Sequence, residues 1–518
     1  MKEESNSNFN IQFWIFALGF CLLWVLLPTF FHPAYRIDVL ELQIIGKEWQ
    51  LSTAKHPMLP AWILETVNLI TNHTFAAPFI AAQLCVLLTL WSIWSFAKTV
   101  LSPKLALWGT LAMFPYCFFT IESTQYNQNI VLIALWTLTV SRLFLAVTRD
   151  RLRDWIIVGV ALGFAFHAKY SAAFLVLAIL FYMAICSFPR QRWKGIGPYL
   201  TTVIALLIFL PHLIWLYQHD FVCFRYVEAS VEAKGKDTLV SFVISPLLFL
   251  AGQLSFVILS TLILIPLLGW RWKIRKAESN LQAEARKYLG LMVGLPLGLH
   301  VLVSLIARVQ LTPDYGAVFW PFFGIFLLLA FKWNATPQTV KHSFRLFVLA
   351  EFAMVVALIF HAVVQPYVLG DVRQFHFPMQ ALGVAADKIW GEHSTQPCPY
   401  TTGDWRIAAN AAITMKDRPS VLFYYNGSYS GIENMSASPT GFWASDADVN
   451  EKGGLVFWSL PNDAAKATSD VSPDVPDYVL QRFPNAMVQQ ESIVLPYQTK
   501  AHVPPLQIGV AVVPPKLQ

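Results

Sequence analysis

Charge is what this sequence has least of. Only 13% of its 518 residues are Asp, Glu, Lys or Arg, against about 25% in a soluble globular chain. That deficit excludes a chain that meets water over most of its surface, and 56% of the residues are hydrophobic. The formal charge of +6 is too small for this length to call for a nucleic-acid partner. Lys and Arg collected in the cytoplasmic loops of a membrane protein give a basic pI by themselves. Cysteine is scarce too. Cys21, Cys85, Cys117 and Cys186 fall in or beside apolar segments, where a small buried thiol explains them. Cys223 and Cys398 fall in segments read below as outside, where an oxidising compartment permits a bridge, although no spacing brings them together. There is no P-loop, no GxGxxG between a strand and a helix, no HExxH, no CxxC and no defensible Ser/His/Asp set. Nucleotide hydrolysis is therefore unsupported as an energy source. No metal or cofactor is expected, with a divalent cation the one helper left open.

Long apolar runs fill the space that charge vacates. A helix needs about 20 apolar residues to cross a hydrocarbon core of roughly 30 Å. Such runs lie near residues 11–31, 76–98, 103–121, 127–147, 155–169, 171–188, 196–217, 239–270, 288–307, 313–331 and 345–366, which predicts about eleven transmembrane helices. The stretch 155–188 is read as two short helices broken at His167-Ala-Lys-Tyr-Ser. The run from Ile11 to Phe31 lacks a small-residue cleavage site and reads as a retained first helix. With the N-terminus inside, the cytoplasmic loops hold 17 Lys and Arg and the outer loops, excluding the tail, hold 8. This is the positive-inside bias. An odd number of spans then puts the C-terminal tail outside.

After about Gly370 the composition turns to Asp, Asn, Ser and Pro, with short β-type runs at Val421–Tyr425, Leu455–Leu460 and Ile508–Val513 and a helical stretch near Gln380–Trp390. Residues 371–518 therefore read as a small α/β domain of ordinary size, outside the membrane, following a transmembrane domain over 1–370.

The candidate chemistry sits in the outer loops. The first, residues 32–62, holds Arg36, Asp38, Glu41, Lys47, Glu48, Lys55 and His56 among apolar residues. Asp38 and Glu41 are three apart and share one helix face. A carboxylate pair at the water–lipid boundary can supply a general base or orient a hydroxyl. Asp38 capping the helix, with Glu41 solvated, accounts for them equally well. The turn containing Glu122, Asn127 and Asn129 offers hydrogen-bonding groups for sugar hydroxyls, and Asn127 equally suits an N-cap. Lys169, followed by Tyr170, stands at the outer end of an apolar run, where an ammonium is costly unless it pairs or snorkels. A phosphate would be a fitting partner. The loop 218–238 adds Arg225, Lys234 and Lys236, and 308–316 adds Arg308, Pro313, Asp314 and Tyr315. Glu351 and His361, in the last span, are the candidate polar groups near the midplane.

The acidic opening Asp38-Val-Leu-Glu41, followed by Lys55-His-Pro57-Met-Leu-Pro-Ala-Trp62 in one outer loop, resembles the GT-C glycosyltransferases. The similarity is to the bacterial branch related to protein O-mannosyltransferases and lipid A aminoarabinose transferase, including transferases of galacturonic acid to lipopolysaccharide. The resemblance covers roughly residues 10–335 and implies a polytopic α-helical GT-C-like fold with a C-terminal extracytoplasmic α/β domain. It implies a bacterial inner-membrane enzyme, N-terminus cytoplasmic and C-terminal domain periplasmic. Such an enzyme moves a sugar from a polyprenyl-phosphate donor to a glycolipid or glycan acceptor, such as lipid A or lipopolysaccharide core, with inversion. In that reading Asp38 and Glu41 are catalytic, and Lys169, Arg225 and Lys55 hold the donor phosphate. His56, Glu122, Asn127, Asn129, Tyr170 and Tyr315 bind substrate. Val39 and Met58 depart from the family pattern, which commonly has Glu and Pro there. A lipid-linked sugar transporter would predict inverted repeats, which are absent from the sequence. A protein O-glycosyltransferase differs only in its acceptor.

Overall fold

Apolar helices dominate the computed structural model, which describes residues 2–225, 239–269, 272–307, 310–370, 372–422, 443–460, 475–499, 501 and 503–516. Among these, seven helices are long and apolar enough to cross a membrane, or up to nine if each of two bent pairs is one span. The chain is a multi-pass membrane protein. The difference from eleven lies in short elements. The run 103–121 gives the nine-residue helix Pro103–Leu111 and then turns. Pro115 lies in those turns, where a continuing helix would lose a hydrogen bond and clash. The helix Leu152–Ala168 has 17 residues, about 25 Å of rise and short for a hydrocarbon core of roughly 30 Å. The runs 171–188 and 313–331 are the two bent pairs, kinked by 87° and 59°.

The chain divides into two compact units. The first comprises Met1–Leu27, Pro78–Tyr217 and Gly235–Ala357; the second comprises Pro28–Ala77, Gln218–Lys234 and Leu358–Gln518. In the first unit, Asn127 starts the helix Gln128–Arg149 by accepting the backbone N–H groups of Asn129 and Ile130, two of the donors a helix start leaves unpaired. Asp150 then turns the chain in the left-handed conformation, and Leu152–Ala168 packs back along the same helix. Buried Arg142 and Asp154 face each other across this hairpin at 3.4 Å. Gly159 and Gly163, four apart, let the helix Gly197–Gln218 approach closely. A Cβ at Gly159 would meet the Thr201 carbonyl oxygen at 2.8 Å, and one at Gly163 would meet Ile208 Cβ at 2.8 Å. This is the small-residue spacing that packs membrane helices backbone to backbone.

The second unit is built on a six-stranded sheet of β1 (Tyr400–Gly403), β2 (Ser420–Val421), β3 (Gly454–Ser459), β4 (Met487–Val488), β5 (Ile493–Leu495) and β6 (Leu506–Val513). The strand order is β2-β1-β3-β6-β4, with β5 also on β6. β1 runs parallel to β2 and β3; β6 runs antiparallel to β3, β4 and β5. The parallel β1–β2 pair needs a crossover, supplied by the helix Trp405–Thr414, which Asp404 caps by accepting the N–H groups of Arg406 and Ile407. Val456, Trp458, Val479, Phe483, Ala511 and Val513 form a core on one side of the sheet. Two of the three β-type runs, and the helical stretch now seen as Met379–His393, correspond to these elements. The third run begins as β2 and continues into residues outside the described set.

Three helices complete the part of this unit that carries the acidic loop. Ile37–Gly46 is apolar on nearly every face, the signature of a buried helix, and packs against both Leu59–Ile70 and Trp405–Thr414. Its Ile44 and Ile45 are buried in these contacts, so they anchor the loop to protein. At Gly46 a Cβ would meet the Ala61 carbonyl oxygen at 2.7 Å and Glu65 Cβ at 3.1 Å. Gly46→Val is therefore expected to destabilise the protein by about 1–3 kcal/mol, the usual range for overpacking, read as a lowered thermal midpoint of the purified chain in detergent.

Candidate functional site

Asp38 lies in the first turn of Ile37–Gly46, where the positive end of the helix dipole favours a carboxylate. The helix itself begins at Arg36 without any side-chain cap, so Asp38 is not its capping residue. Glu41, one turn on, is not solvated either. Its Oε2 accepts from Lys55 Nζ at 2.7 Å, with both side chains only 9% exposed. The sequence offers Glu41 and Lys55 for different jobs, and the structure makes them partners. The segment that returns Lys55 to Glu41 is stapled by Thr53 and Ser52. The Thr53 N–H and the Ser52 Oγ both donate to the His56 carbonyl, and Thr53 Oγ1 accepts from the N–H groups of Lys55 and His56. Cys223 donates its thiol to the Thr53 carbonyl at 3.2 Å. Cys398 donates to the Tyr400 carbonyl, its own thiol pushed up to about 12 by burial. No disulfide joins the two cysteines.

Glu122, Asn127, Asn129, Lys169, Tyr170 and Tyr315 sit in the first unit, and three of them meet. Lys169 caps the end of Leu152–Ala168 in extended conformation. Its ammonium donates to Asn129 Oδ1 at 2.8 Å and lies 5.0 Å from the Tyr315 ring centroid. An amide oxygen and an aromatic face both suit a cation. The aromatic wall is fixed from behind. Pro313 to Phe319 form a 3₁₀ turn whose Pro313 carbonyl accepts from Gln253 Nε2 at 3.0 Å, while Trp320 Nε1 donates to Gln253 Oε1 at 2.9 Å. Tyr170 shares a 2.7 Å hydrogen bond with Nε2 of the fully buried His212, and His212 stacks on Trp215. His212 joins this cluster from the middle of an apolar helix, where the sequence gives no local cue. Asn127 serves as the N-cap already described, and Glu122 lies in the short 3₁₀ turn Ile121–Thr124. Arg225 is exposed at the end of its described segment. Lys234, Lys236 and Arg308 lie outside the described residues. Among the described residues no group of three or more His, Cys, Asp or Glu side chains is placed to hold a metal ion.

A second charged system in the acidic-loop unit has no signal in the sequence. Arg418, at positive φ just before β2, spans both carboxylate oxygens of Glu65 at 3.3 Å each. Glu65 in turn accepts from Asn68 at 2.9 Å, and Asn68 pairs with Gln43. Lys47 donates to the Arg418 carbonyl oxygen. Burial pulls Lys47 below the ordinary lysine value and pushes the neighbouring Glu48 above the ordinary glutamate value.

Residues 55–215 match the family model described as dolichyl-phosphate-mannose-protein mannosyltransferase. The whole structure matches that of ArnT from Cupriavidus metallidurans bound to undecaprenyl phosphate, with a TM-score of 0.63 at 11% identity over 98% of each chain. This is the GT-C glycosyltransferase fold. The apo ArnT structure gives 0.60 at 13% identity, again over 98% of each chain. Among curated proteins, the chain is 21% identical over 222 residues to lipid A galacturonosyltransferase RgtD of Rhizobium johnstonii, covering 41% of this chain and 45% of that one. It is 25% identical over 240 residues to the lipopolysaccharide core galacturonosyltransferase RgtB of the same organism, covering 44% and 47%. The chain thus spans less than half the length of these GT-C relatives in each alignment.

Two expectations about stability follow. Arg418→Ala leaves the Glu65 carboxylate buried without its cation and should cost about 3 kcal/mol, the low end for a broken buried pair because the guanidinium is partly exposed. The double variant Glu65→Gln/Arg418→Ala should recover part of that loss in thermal unfolding. For Glu48 the folded pKa is raised, so its stabilising contribution is complete below the ordinary glutamate value and lost as pH rises through the folded value. Glu48→Gln should therefore raise the thermal midpoint at about pH 7.5 and leave it unchanged at about pH 4.

Proposed function

We propose that this chain is an inverting glycosyltransferase that moves a sugar from a polyprenyl-phosphate donor to a glycolipid acceptor, lipid A or lipopolysaccharide core. The reaction takes place at the periplasmic face of a bacterial inner membrane. The observation that carries the reading is the Lys169 ammonium held by Asn129 and the Tyr315 ring, three separate segments converging on one cation at a helix break. A cation so placed answers the need of a phosphate leaving group, which is electrostatic stabilisation. The GT-C fold and the names of the curated relatives support the same reaction class.

In the proposed reaction the acceptor hydroxyl attacks the anomeric carbon. Its proton passes to the Asp38 carboxylate, the carbon–oxygen bond to phosphate breaks, and the electron pair leaves on the polyprenyl phosphate. Glu41, ion-paired with Lys55, has the role of fixing that part of the loop. Arg225 adds a second cation for the donor, and His56, Glu122, Asn127, Asn129, Tyr170 and Tyr315 contribute to the sugar and acceptor contacts. The N-terminus is cytoplasmic and residues 371–518 form the periplasmic domain. The matched family model is named for protein acceptors, so a protein O-glycosyltransferase is the second reading.

Mass spectrometry of envelope glycolipids, with and without the gene, separates the two. A sugar-sized mass lost on deletion and restored by the natural chain supports the glycolipid reading; an unchanged lipid profile with a lost protein glycan supports the other. Asp38→Asn and Lys169→Ala should each insert normally and reduce transfer by at least about 10²-fold, the scale of removing a general base or an oxyanion-type contact. Full activity in both would remove the mechanism.

A further inference from the structure

The acidic-loop unit contains a cleft of about 800 Å³, within the usual range for a ligand pocket. One wall is the C-terminal end of the first membrane helix, with Phe30 and Phe31; the other is the end of the last one, with Val363 and Tyr367. Phe30 is 78% exposed and Tyr367 69% exposed, so the cleft is bordered by aromatic side chains that a bilayer, not water, would cover. The last helix is not regular here. Residues Phe360–Val364 form a π turn, a distortion that concentrates at functional sites, and buried His376 Nε2 donates to the Ala362 carbonyl at 2.8 Å. The distortion is thus supported by its own hydrogen bond.

The chemistry of the lining is one-sided. Besides apolar groups it presents the amides of Gln380 and Gln498 and the hydroxyls of Thr29, Tyr367 and Thr499, and none of the described lining residues is Asp, Glu, Lys or Arg. His32, the one titratable imidazole in the lining, is stacked on Phe375. Burial, helped by Arg36 and His376, pushes it down to about 3, so it is neutral. Among the described residues of this lining a phosphate head group finds no cation. The ester and amide carbonyls and hydroxyls that attach acyl chains to a sugar find donors and acceptors of the right kind.

We propose that this cleft binds an acyl chain of an amphiphilic glycolipid, the chain lying between the two helix ends and its attachment groups meeting Gln380, Gln498 and Thr499. As the acceptor's docking site, it rests on the glycolipid reading above; as a binding site, it does not. The test uses the full-length protein in detergent with two photoprobes, a diacylated glucosamine phosphate carrying a mid-chain diazirine and a diazirine-bearing polyprenyl phosphate. Saturable labelling by the acyl probe is expected in the peptides containing Phe30 and residues 362–367. Val363→Trp, which fills the cleft from a half-exposed position, should reduce that labelling roughly tenfold. If Val363→Trp fails to fold by thermal unfolding, Gln498→Leu/Thr499→Val tests the polar rim in its place with the same expected direction. Labelling outside the cleft, labelling there by the prenyl probe alone, or labelling unchanged in the folded variant would overturn the proposal. Labelling needs no sugar transfer. Cleft labelling with an unchanged envelope lipid profile would keep the site and remove the glycolipid-transferase reading, and the reverse pair of results would do the opposite.

Discussion

The helix Ile37–Gly46 is buried from Val39 to Gly46, and its place is decided by its neighbours Leu59–Ile70 and Trp405–Thr414. Gly46 sets how closely the first can approach, and the bidentate Glu65–Arg418 pair ties the same helix Leu59–Ile70 to the chain just before β2. The position of the acidic loop follows from that clamp. Lys55 can reach Glu41 only if the intervening turn closes on itself, which Thr53 and Ser52 bring about by hydrogen bonds to the backbone. An acid placed on such a helix is held by packed side chains, not by a mobile loop, the condition a positioned proton acceptor requires.

The membrane-helix unit meets a different constraint. Charges there stand among apolar neighbours and must find partners within the unit. Arg142 has Asp154 and the face of Trp91, 4.6 Å from the ring centroid. Lys169 meets the Asn129 amide and the Tyr315 ring. Close helix packing through Gly159 and Gly163 supports the break at Lys169, because it holds the preceding helix against Gly197–Gln218.

How much of this was legible depended on the distance over which each residue finds its partner. Lys169 is legible because a cation at the end of an apolar run has few local explanations, and Asn127 because a cap acts on its own next two or three residues. Glu41 is not, since a carboxylate in a polar loop looks solvated until Lys55 folds back over it. Arg418 is still less so. It stands in the polar run Met415-Lys-Asp-Arg418, and its partner lies 353 positions away. Among strands, Leu506–Val513 announces itself by β-branched residues, whereas Tyr400–Gly403 is too short and too polar to do so. The helix count differs for a related reason. Hydropathy registers apolar length, and it cannot tell a straight helix from one that Pro115 or the break before Trp320-Pro321 cuts short.

The separation of Glu65 from Arg418 also has a meaning in time. A ribosome adding roughly 5–20 residues per second makes the glutamate about 20–70 s before the arginine, given the 353 positions between them. During that interval the acidic loop exists without the helix and sheet it will pack against. Its apolar face and its carboxylates are then left to water, lipid or a chaperone, and the clamp closes only after 418 of the 518 residues have been made.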